Sequence, residues 1–433
     1  MSLSLNLDRS IFLTTADQIG CDLCRDAIWD GRRCTWMGWS KEKVAGQWGD
    51  VYRSMSPDLY GGSSGIALFL AELYRFTQDK QQLRAVEGAV EHALSNLQMI
   101  QDGLVFGFYT GYLGVAYAII RVAEILGRED WIAAGLALVE RMCQRPRSEQ
   151  TMLDLLSGSA GVIPVLLQLA QRYDRPNWLG VAEEQGRYLI RTAEVVDGRC
   201  SWRTLEMPVF ANLTGYSHGV AGISIALLEL DAVLDDPIYR DTALKAWRFE
   251  ADMFDQTQQN WPDNRNIHPA NPASKPGFCM AWCHGAPGIG MARLRACELL
   301  PDHQGLRQDL ERAISVTAHS TAQALTHSIQ HFSLCHGVAG NAELLCLAAM
   351  AESRPDLFAI ADQLGLRGVE LYGSGGAVWP CGIGNGAENP NLMLGTAGIG
   401  HFYLRLYAQQ ALPSILLVRG SSFLGDAATK KIK

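Results

Sequence analysis

The sequence lacks the features that would assign it to a membrane or to nucleic acid. No apolar run reaches the roughly 18–20 residues of a membrane-spanning helix, and the start MSLSLNLDRS has no basic and apolar signal segment. A net charge of −8 offers no basic surface for nucleic acid or for an anionic membrane. We therefore predict a soluble, cytoplasmic protein with no membrane span and no nucleic-acid partner.

Disulfide and metal-ribbon patterns are missing as well. The chain has 11 cysteines, an odd number, and they are scattered over 433 residues, which favours reduced thiols. Cys21 and Cys24 form a C-x-x-C pair without the second pair that a zinc ribbon requires. His319, His327 and His331 read as surface or loop residues.

Strand patterns are also weak, whereas one element recurs seven times. It is a G-x-x-G sequence followed by an apolar run, and its first glycines are Gly62, Gly111, Gly158, Gly219, Gly285, Gly337 and Gly395. The intervals between them are 49, 47, 61, 66, 52 and 58 residues, each long enough for two helices. A repeat of this length predicts one helical pair per unit.

The two helices of each predicted pair differ in pattern. The segment after a glycine pair, such as Ile66–Tyr74, is apolar on all sides, which indicates a fully buried helix, whereas the segment at 81–100 is amphipathic. Since the last repeat is as apolar as the middle ones, no polar cap ends the array. We predict an all-α fold, an α/α toroid of about seven inner and outer helix pairs. The expected boundaries within one domain are a lead-in at 1–45, the toroid at 46–418 and a polar tail at 419–433.

Three consecutive repeats carry titratable side chains directly before their glycines. These pairs are Ser217–His218, Cys283–His284 and Cys335–His336. Equivalent positions of neighbouring repeats lie at the same end of a ring, so the two cysteines and a histidine can meet although they are far apart in sequence. Thiolate and imidazole are zinc ligands, and three of them leave a fourth position open, as in catalytic sites. Repeat symmetry leaves open whether His284 or His336 is the third ligand. The alternative is that these residues only pack in the core.

Asp154 lies four residues before Gly158 in the apolar context TMLDLLSGSAG. A buried aspartate is costly without a partner, and His218 of the next repeat can supply one. The pair indicates an acid/base dyad in which the carboxylate orients the imidazole. Capping of the following helix is the alternative explanation for this aspartate.

The assembled motifs resemble those of the LanC-like lanthionine cyclases, and most of all the C-terminal cyclase region of class II (LanM-type) lanthipeptide synthetases. The phrases that carry the resemblance extend from about residue 34 to 418: CTWMGW, MSPDLYGGSSGIALFLAELY, GYSHGVAGI, AWCHGAPGIGMARL, LCHGVAGNAELL and ENPNLMLGTAGIGHFYLRLY. The paired WCHG and LCHG phrases, together with seven glycine elements, make it specific.

The resemblance implies an α/α toroid with one catalytic zinc ion, and a cysteine of a dehydrated, ribosomally made precursor peptide as the substrate thiol. The thiolate adds to a dehydroalanine or dehydrobutyrine of the same peptide and closes a (methyl)lanthionine thioether ring. The matching positions are Cys283, Cys335 and His336 for the metal, His218 for the acid/base, Asp154 for its partner and His284 for the pocket wall.

Two departures from the family pattern matter. Class I cyclases carry an arginine four residues before the first zinc cysteine, where this chain has Cys279, so stabilisation of the enolate by that arginine does not carry over. Class II synthetases contain a dehydratase before the cyclase, which 45 residues cannot hold. We therefore expect a separate or fused dehydratase as a partner.

Three other hypotheses compete with the cyclase. A prenyltransferase-like toroid also alkylates a peptide cysteine with zinc, but those sites use an Asp, Cys and His set. A toroidal glycosidase needs two converging carboxylates, of which only Asp154 is evident. A LanC-like protein can also act as a non-cyclising scaffold that binds peptide or thiol.

Overall fold

The computed structural model describes residues 7–420, apart from 45–46, 148–150, 206–211, 268–270, 272–273, 328, 374–376 and 385–386. Within these ranges the chain forms fourteen α-helices and three short antiparallel β-hairpins, which confirms the predicted all-α toroid. None of the helices in the described part is long and apolar enough to cross a membrane. The predicted polar tail falls mostly on residues 421–433, which lie outside the described ranges.

Seven inner helices form the wall around the ring axis. Each begins directly after the first glycine of its repeat, and its side chains are buried over the first two to three turns, as their all-round apolar pattern predicts. These helices are α2 (Ser63–Thr77), α4 (Tyr112–Leu126), α6 (Ser159–Arg172), α8 (Val220–Leu234), α10 (Ala286–Leu299), α12 (Val338–Ala351) and α14 (Thr396–Tyr407).

Seven outer helices cover this wall, each packed on one inner helix. They are α1 (Ser10–Asp26), α3 (Lys80–Ser95), α5 (Glu129–Cys143), α7 (Asn177–Thr192), α9 (Pro237–Ala251), α11 (Gln304–Ala324) and α13 (Pro355–Tyr372). Six pair with the inner helix that precedes them, whereas α1 packs on α14 and buries Phe12, Ala16 and Ile19. The helix pairs thus extend into the segment that we assigned to a lead-in. The seventh inner helix has its outer partner at the other end of the chain, a relation that no local repeat pattern reveals.

A closed cycle of backbone hydrogen bonds joins the seven repeats at the axis. Its members are the residues two positions before each first glycine, and each amide N–H donates to the carbonyl oxygen of the next at N···O distances of 2.8–3.2 Å. Their order around the ring is Tyr60, Tyr109, Leu156, Ser217, Cys283, Cys335 and Met393, which donates back to Tyr60. The cycle shows directly that the ring is closed.

The glycine pairs permit this crowding. At Gly288 an added Cβ would clash with the carbonyl oxygen of Trp282, and at Gly340 with that of Leu334. The loop that carries each axis residue therefore folds back onto the first turn of its inner helix, and only a residue without Cβ leaves room for it. The repeated glycines are architectural, as the sequence indicated.

At the end of the ring opposite the axis residues, a segment of the chain itself fills the space between the inner helices. Residues 412–418 enter between the ends of the inner helices, with Ile415 and Leu416 nearly inaccessible to solvent. The Tyr109 hydroxyl donates to the Ile415 carbonyl (2.7 Å), and Trp282 Nε1 donates to the Leu416 carbonyl (3.0 Å). The rings of Tyr109 and Trp282 stack edge to face at 5.2 Å, so an aromatic floor separates this plug from the other end.

Three β-hairpins are added to the ring of helix pairs. They pair β1 (Ile28–Asp30) with β2 (Arg33–Thr35), β3 (Met37–Val44) with β4 (Gln47–Ser54), and β5 (Glu194–Val196) with β6 (Arg199–Ser201). The second is the longest, and its Trp39 and Tyr52 side chains contact each other with ring centroids 5.2 Å apart. It stands beside the mouth of the ring, where the helix N-termini and the axis residues lie.

Candidate functional site

The structure brings together two cysteines and one histidine of neighbouring repeats. The ligand atoms of Cys283, Cys335 and His336 all lie within 4.8 Å of one another, and among the described residues they form the one such group that could hold a metal ion. The proximity follows from the axis cycle, in which the Cys283 amide donates to the Cys335 carbonyl at 3.2 Å. Residues 52 positions apart are thereby made adjacent.

His336 is oriented by a backbone carbonyl. Its Nε2 lies 3.0 Å from the carbonyl oxygen of Gly382, and because a carbonyl only accepts, Nε2 carries the proton. Nδ1 is then the nitrogen with a free lone pair. A hydrogen bond from the second ring nitrogen to a carbonyl is the usual support of a metal-bound histidine.

The two thiols need a cation to ionise together. A hydrogen bond with Cys335, together with burial, raises the pKa of Cys283 well above its ordinary value. Hydrogen bonds from Cys283 and from the Tyr60 hydroxyl lower the pKa of Cys335 despite its burial. The surroundings thus favour the thiolate form of Cys335 and disfavour that of Cys283. A divalent cation bound to both sulfurs would stabilise the two thiolates together. Two thiolates and one imidazole are a donor set that zinc prefers, so the residues fit this metal.

His218 and Asp154 form the expected pair. His218 Nδ1 lies 2.6 Å from Asp154 Oδ2, and the aspartate side chain is completely buried. Burial opposes the charged imidazole, yet the charge of Asp154 and its hydrogen bond outweigh it and raise the pKa of His218. The other carboxylate oxygen, Oδ1, accepts the Ser157 amide at 2.8 Å. Asp154 thus orients the histidine and stabilises the turn before α6. It does not cap that helix, because the N-cap position of α6 is Gly158 and no side-chain cap hydrogen bond is made there.

His284 lies beside His218, with their ring centroids 5.9 Å apart, and its side chain is buried. Apart from the Thr214 backbone, its ring nitrogens have no hydrogen-bond partner among the described residues. Burial and the nearby Arg265 guanidinium lower the pKa of His284 to about 3. The backbone of the next residue, Gly285, has a φ of 91°, a left-handed conformation that suits glycine.

Cys279 is linked to a charged pair that the sequence analysis missed. Its Sγ lies 3.4 Å from Asp263 Oδ2, and Asp263 binds Arg265 through Nε and Nη2 at 2.6–3.1 Å. Burial alone would raise the pKa of Asp263, but the Arg265 hydrogen bonds and charge lower it to about 2. Asp263 and Arg265 both belong to the connection between α9 and α10. Nothing in the sequence distinguished Arg265 from other loop arginines.

The other sequence candidates stay apart from this cluster or border it. Cys21 and Cys24 lie on α1, and His319 and His327 are exposed. His331 borders the site, with its ring centroid 4.9 Å from that of His336. It belongs to no metal-binding group within the described ranges.

A cavity of about 540 Å³ opens beside His336, one of the three candidate ligands. It is lined by His336, Tyr60, Asp58 and Thr110 on the ring side and by the β3–β4 hairpin on the other. Tyr60 holds the same repeat position as Cys283 and Cys335. Extending the alignment of repeats to all seven axis residues would have found it in the sequence.

Comparison with known proteins identifies the family. Residues 53–417 match the profile of the lanthionine synthetase C-like proteins, and the chain belongs to this family. The predicted resemblance is thereby confirmed.

Individual relatives are distant. The lacticin 481/lactococcin biosynthesis protein LcnDR2 of Lactococcus lactis subsp. lactis is 23% identical over 382 residues, which cover 83% of this chain and 37% of that protein. The nisin biosynthesis protein NisC of the same organism is 23% identical over 340 residues, covering 71% of this chain and 78% of NisC. The chain thus spans little more than a third of LcnDR2. Nisin cyclase has the same fold, with a TM-score of 0.58 and 18% identity over 82% of this chain and 89% of its own.

Proposed function

We propose that the protein is a zinc-dependent lanthionine cyclase. Its substrate is a dehydrated precursor peptide, in which a cysteine thiol adds to a dehydroalanine or dehydrobutyrine. The S–Cβ and Cα–H bonds form, while the S–H bond of the cysteine and the π bond between Cα and Cβ are broken. A dehydratase, separate or fused, must supply the unsaturated residue.

Cys283, Cys335 and His336 are the proposed ligands. Zinc held by them would supply Lewis-acid activation that favours the thiolate form of the substrate cysteine at neutral pH, where a free thiol of pKa about 8.5 is mostly protonated. Three protein ligands leave room for one more sulfur. The cavity beside His336 has the volume to receive the residues that flank the cysteine.

His218 is the proposed proton donor. Its Nδ1 is held by Asp154, so Nε2 is the nitrogen that faces the substrate. Asp154 raises the pKa of His218 and so favours the imidazolium form, which can protonate the α-carbon after addition. The histidine then regains the proton that the substrate thiol has lost.

One observation carries this proposal: the three candidate ligands lie within 4.8 Å of one another at the mouth that also holds the His218–Asp154 pair. The set also differs from the Asp, Cys and His ligands expected for a prenyltransferase-like toroid. Membership of the lanthionine synthetase C-like family and the names of two distant relatives support the same chemistry.

The direct experiment incubates the zinc-loaded protein with a dehydrated peptide that contains cysteine, and follows free thiols by alkylation and mass spectrometry. We expect thiols to disappear without a change in peptide mass, because cyclisation is an isomerisation. The His218→Ala variant should keep its zinc and lose about 10²–10⁴-fold in kcat. Thiols that stay fully alkylatable with the wild-type protein would overturn the cyclase and leave the scaffold, which predicts peptide binding without turnover.

A further inference from the structure

The proposed addition places negative charge on an atom for which no residue has yet been assigned. As the sulfur bonds to the β-carbon, the electron pair of the double bond moves toward the carbonyl oxygen of the acceptor residue. Fixed donors aimed at such an oxygen are often the largest single contribution to catalysis. His218 acts at the α-carbon, so a separate donor set is needed for the oxygen.

Arg265 places a cation at the mouth of the ring. Its charge acts on Cys283 and on both His218 and His284, which come from two different repeats. The guanidinium is fixed rather than free, because Asp263 grips Nε and Nη2 in a two-pronged ion pair. Nη1 has no hydrogen-bond partner among the described residues, although the side chain is only 38% exposed.

The support behind Arg265 is itself anchored. The Asp263 amide and carbonyl exchange hydrogen bonds with Gly277 at 2.7 and 3.1 Å, and Asp263 Oδ2 also contacts the Cys279 thiol. Asn260 ties the same loop to the core, since its Nδ2 donates to the Cys279 carbonyl and its Oδ1 accepts the Ala286 amide at the start of α10. These hydrogen bonds thus fix the position of Arg265 relative to α10, the helix that follows Cys283.

His284 supplies the second observation. It is 99% buried, and apart from the Thr214 backbone, which raises its pKa, its ring nitrogens have no hydrogen-bond partner within the described chain. Buried polar groups normally have partners. His284 lies beside His218 and within reach of the charges of Arg265 and Asp263, where a bound carbonyl group would give it a further partner.

We propose that Arg265, positioned by Asp263, binds the carbonyl oxygen of the acceptor residue together with His284 and stabilises the charge that develops there. This inference rests on the proposed cyclase function. Arg265 is then a catalytic residue and Asp263 a positioning residue. The acceptor half of the peptide then lies on the side of Asp263 and Arg265, and the cysteine half leaves toward the cavity under β3–β4.

The test measures kcat and KM for Arg265→Ala, Arg265→Lys and Asp263→Asn, with bound zinc determined for each. Arg199→Ala is the matched control, because Arg199 is similarly exposed, pairs with one aspartate, Asp252, and does not belong to the cluster of candidate ligands. We expect Arg265→Ala to lower kcat by about 100-fold or more with zinc retained, and added guanidine to restore part of the rate. The lysine variant keeps the positive charge but lacks the planar guanidinium that can donate two parallel hydrogen bonds. Its kcat should therefore lie between those of Arg265→Ala and the wild type.

A binding measurement separates this inference from the cyclase proposal. The probe is a peptide in which a phosphinate replaces the acceptor carbonyl, compared by calorimetry with its amide counterpart. Wild type should prefer the phosphinate, and Arg265→Ala should abolish the preference. Equal affinities in wild type, a normal kcat in Arg265→Ala, or the same loss in Arg199→Ala would each overturn the role of Arg265. A phosphinate preference in a protein that closes no rings would instead overturn the cyclase and keep the anion site.

Discussion

Two halves of the mouth share one backbone and differ in chemistry. We call repeats four to six the reactive arc, with Ser217–His218, Cys283–His284 and Cys335–His336 before the glycines. We call the other four repeats the quiet arc, with Met393–Leu394, Tyr60–Gly61, Tyr109–Thr110 and Leu156–Ser157 at the same positions. Both arcs belong to the same cycle of amide-to-carbonyl hydrogen bonds.

The difference shows that backbone and chemistry are specified by different residues. The glycines and the apolar inner helices determine where each axis residue lies, and they are equivalent in all seven repeats. The side chain at that place can then change without altering the ring. The titratable side chains directly before the glycines lie on one arc, and the quiet arc contributes Asp154 and Tyr60 as their hydrogen-bond partners. We therefore expect the axis positions of the two arcs to respond very differently to mutation.

The largest effect is expected in the reactive arc at a metal ligand. Cys283→Ala removes one of three donors and should reduce zinc content from one per chain to a small fraction, with loss of ring formation. Elemental analysis and the thiol assay measure both quantities. Cys21→Ala, an exposed cysteine outside the cluster, should leave zinc and activity unchanged. Full zinc stoichiometry in Cys283→Ala would contradict the ligand assignment.

A smaller effect that depends on pH is expected for Asp154→Asn. Asp154 holds the pKa of His218 above its ordinary value, and without that charge the burial of the imidazole lowers it. The proton donor is the charged form, so activity is lost as pH rises through this pKa. The alkaline limb of the kcat profile should therefore move to lower pH, with zinc retained. An unchanged alkaline limb would mean that a group other than His218 delivers the proton.

The smallest effect is expected in the quiet arc. Ser157→Ala removes the side-chain hydrogen bond from Thr110 Oγ1 to Ser157 Oγ (3.0 Å) and keeps the amide that binds Asp154. We expect a loss of about 1 kcal/mol in the free energy of unfolding and less than a twofold change in kcat. Denaturant unfolding and the thiol assay measure these. A large kcat loss at unchanged stability would show that the arcs are not functionally distinct.

Most of the architecture was predictable because it repeats. Seven glycine pairs and alternating helix patterns indicate a ring, and alignment on the glycines places the Cys283, Cys335 and His336 side chains at one end. The partner of α14 was not predictable in this way, because α1 lies at the far end of the chain and carries no glycine signal.

The rest of the site depends on loops and carbonyls that follow no repeat. Arg265 belongs to a connection whose path is set by Asn260 and Gly277, and Gly382 contributes only a backbone oxygen to His336. Neither leaves a pattern in sequence. The choice between His284 and His336 likewise needed geometry, since repeat symmetry treats them alike and only His336 belongs to the cluster of possible ligands.

The closed cycle at the axis also separates the spacing of the reacting groups from the length of the chain between them. Ser217, Cys283 and Cys335 are directly hydrogen-bonded neighbours, although they lie 66 and 52 positions apart in the sequence. A connection between repeats can therefore change in length without altering the spacing of these three residues, whereas a side chain carried by the connection, such as Arg265, would move with it. Variation in the connections would then change the loop residues at the mouth and leave the axis residues where the ring holds them.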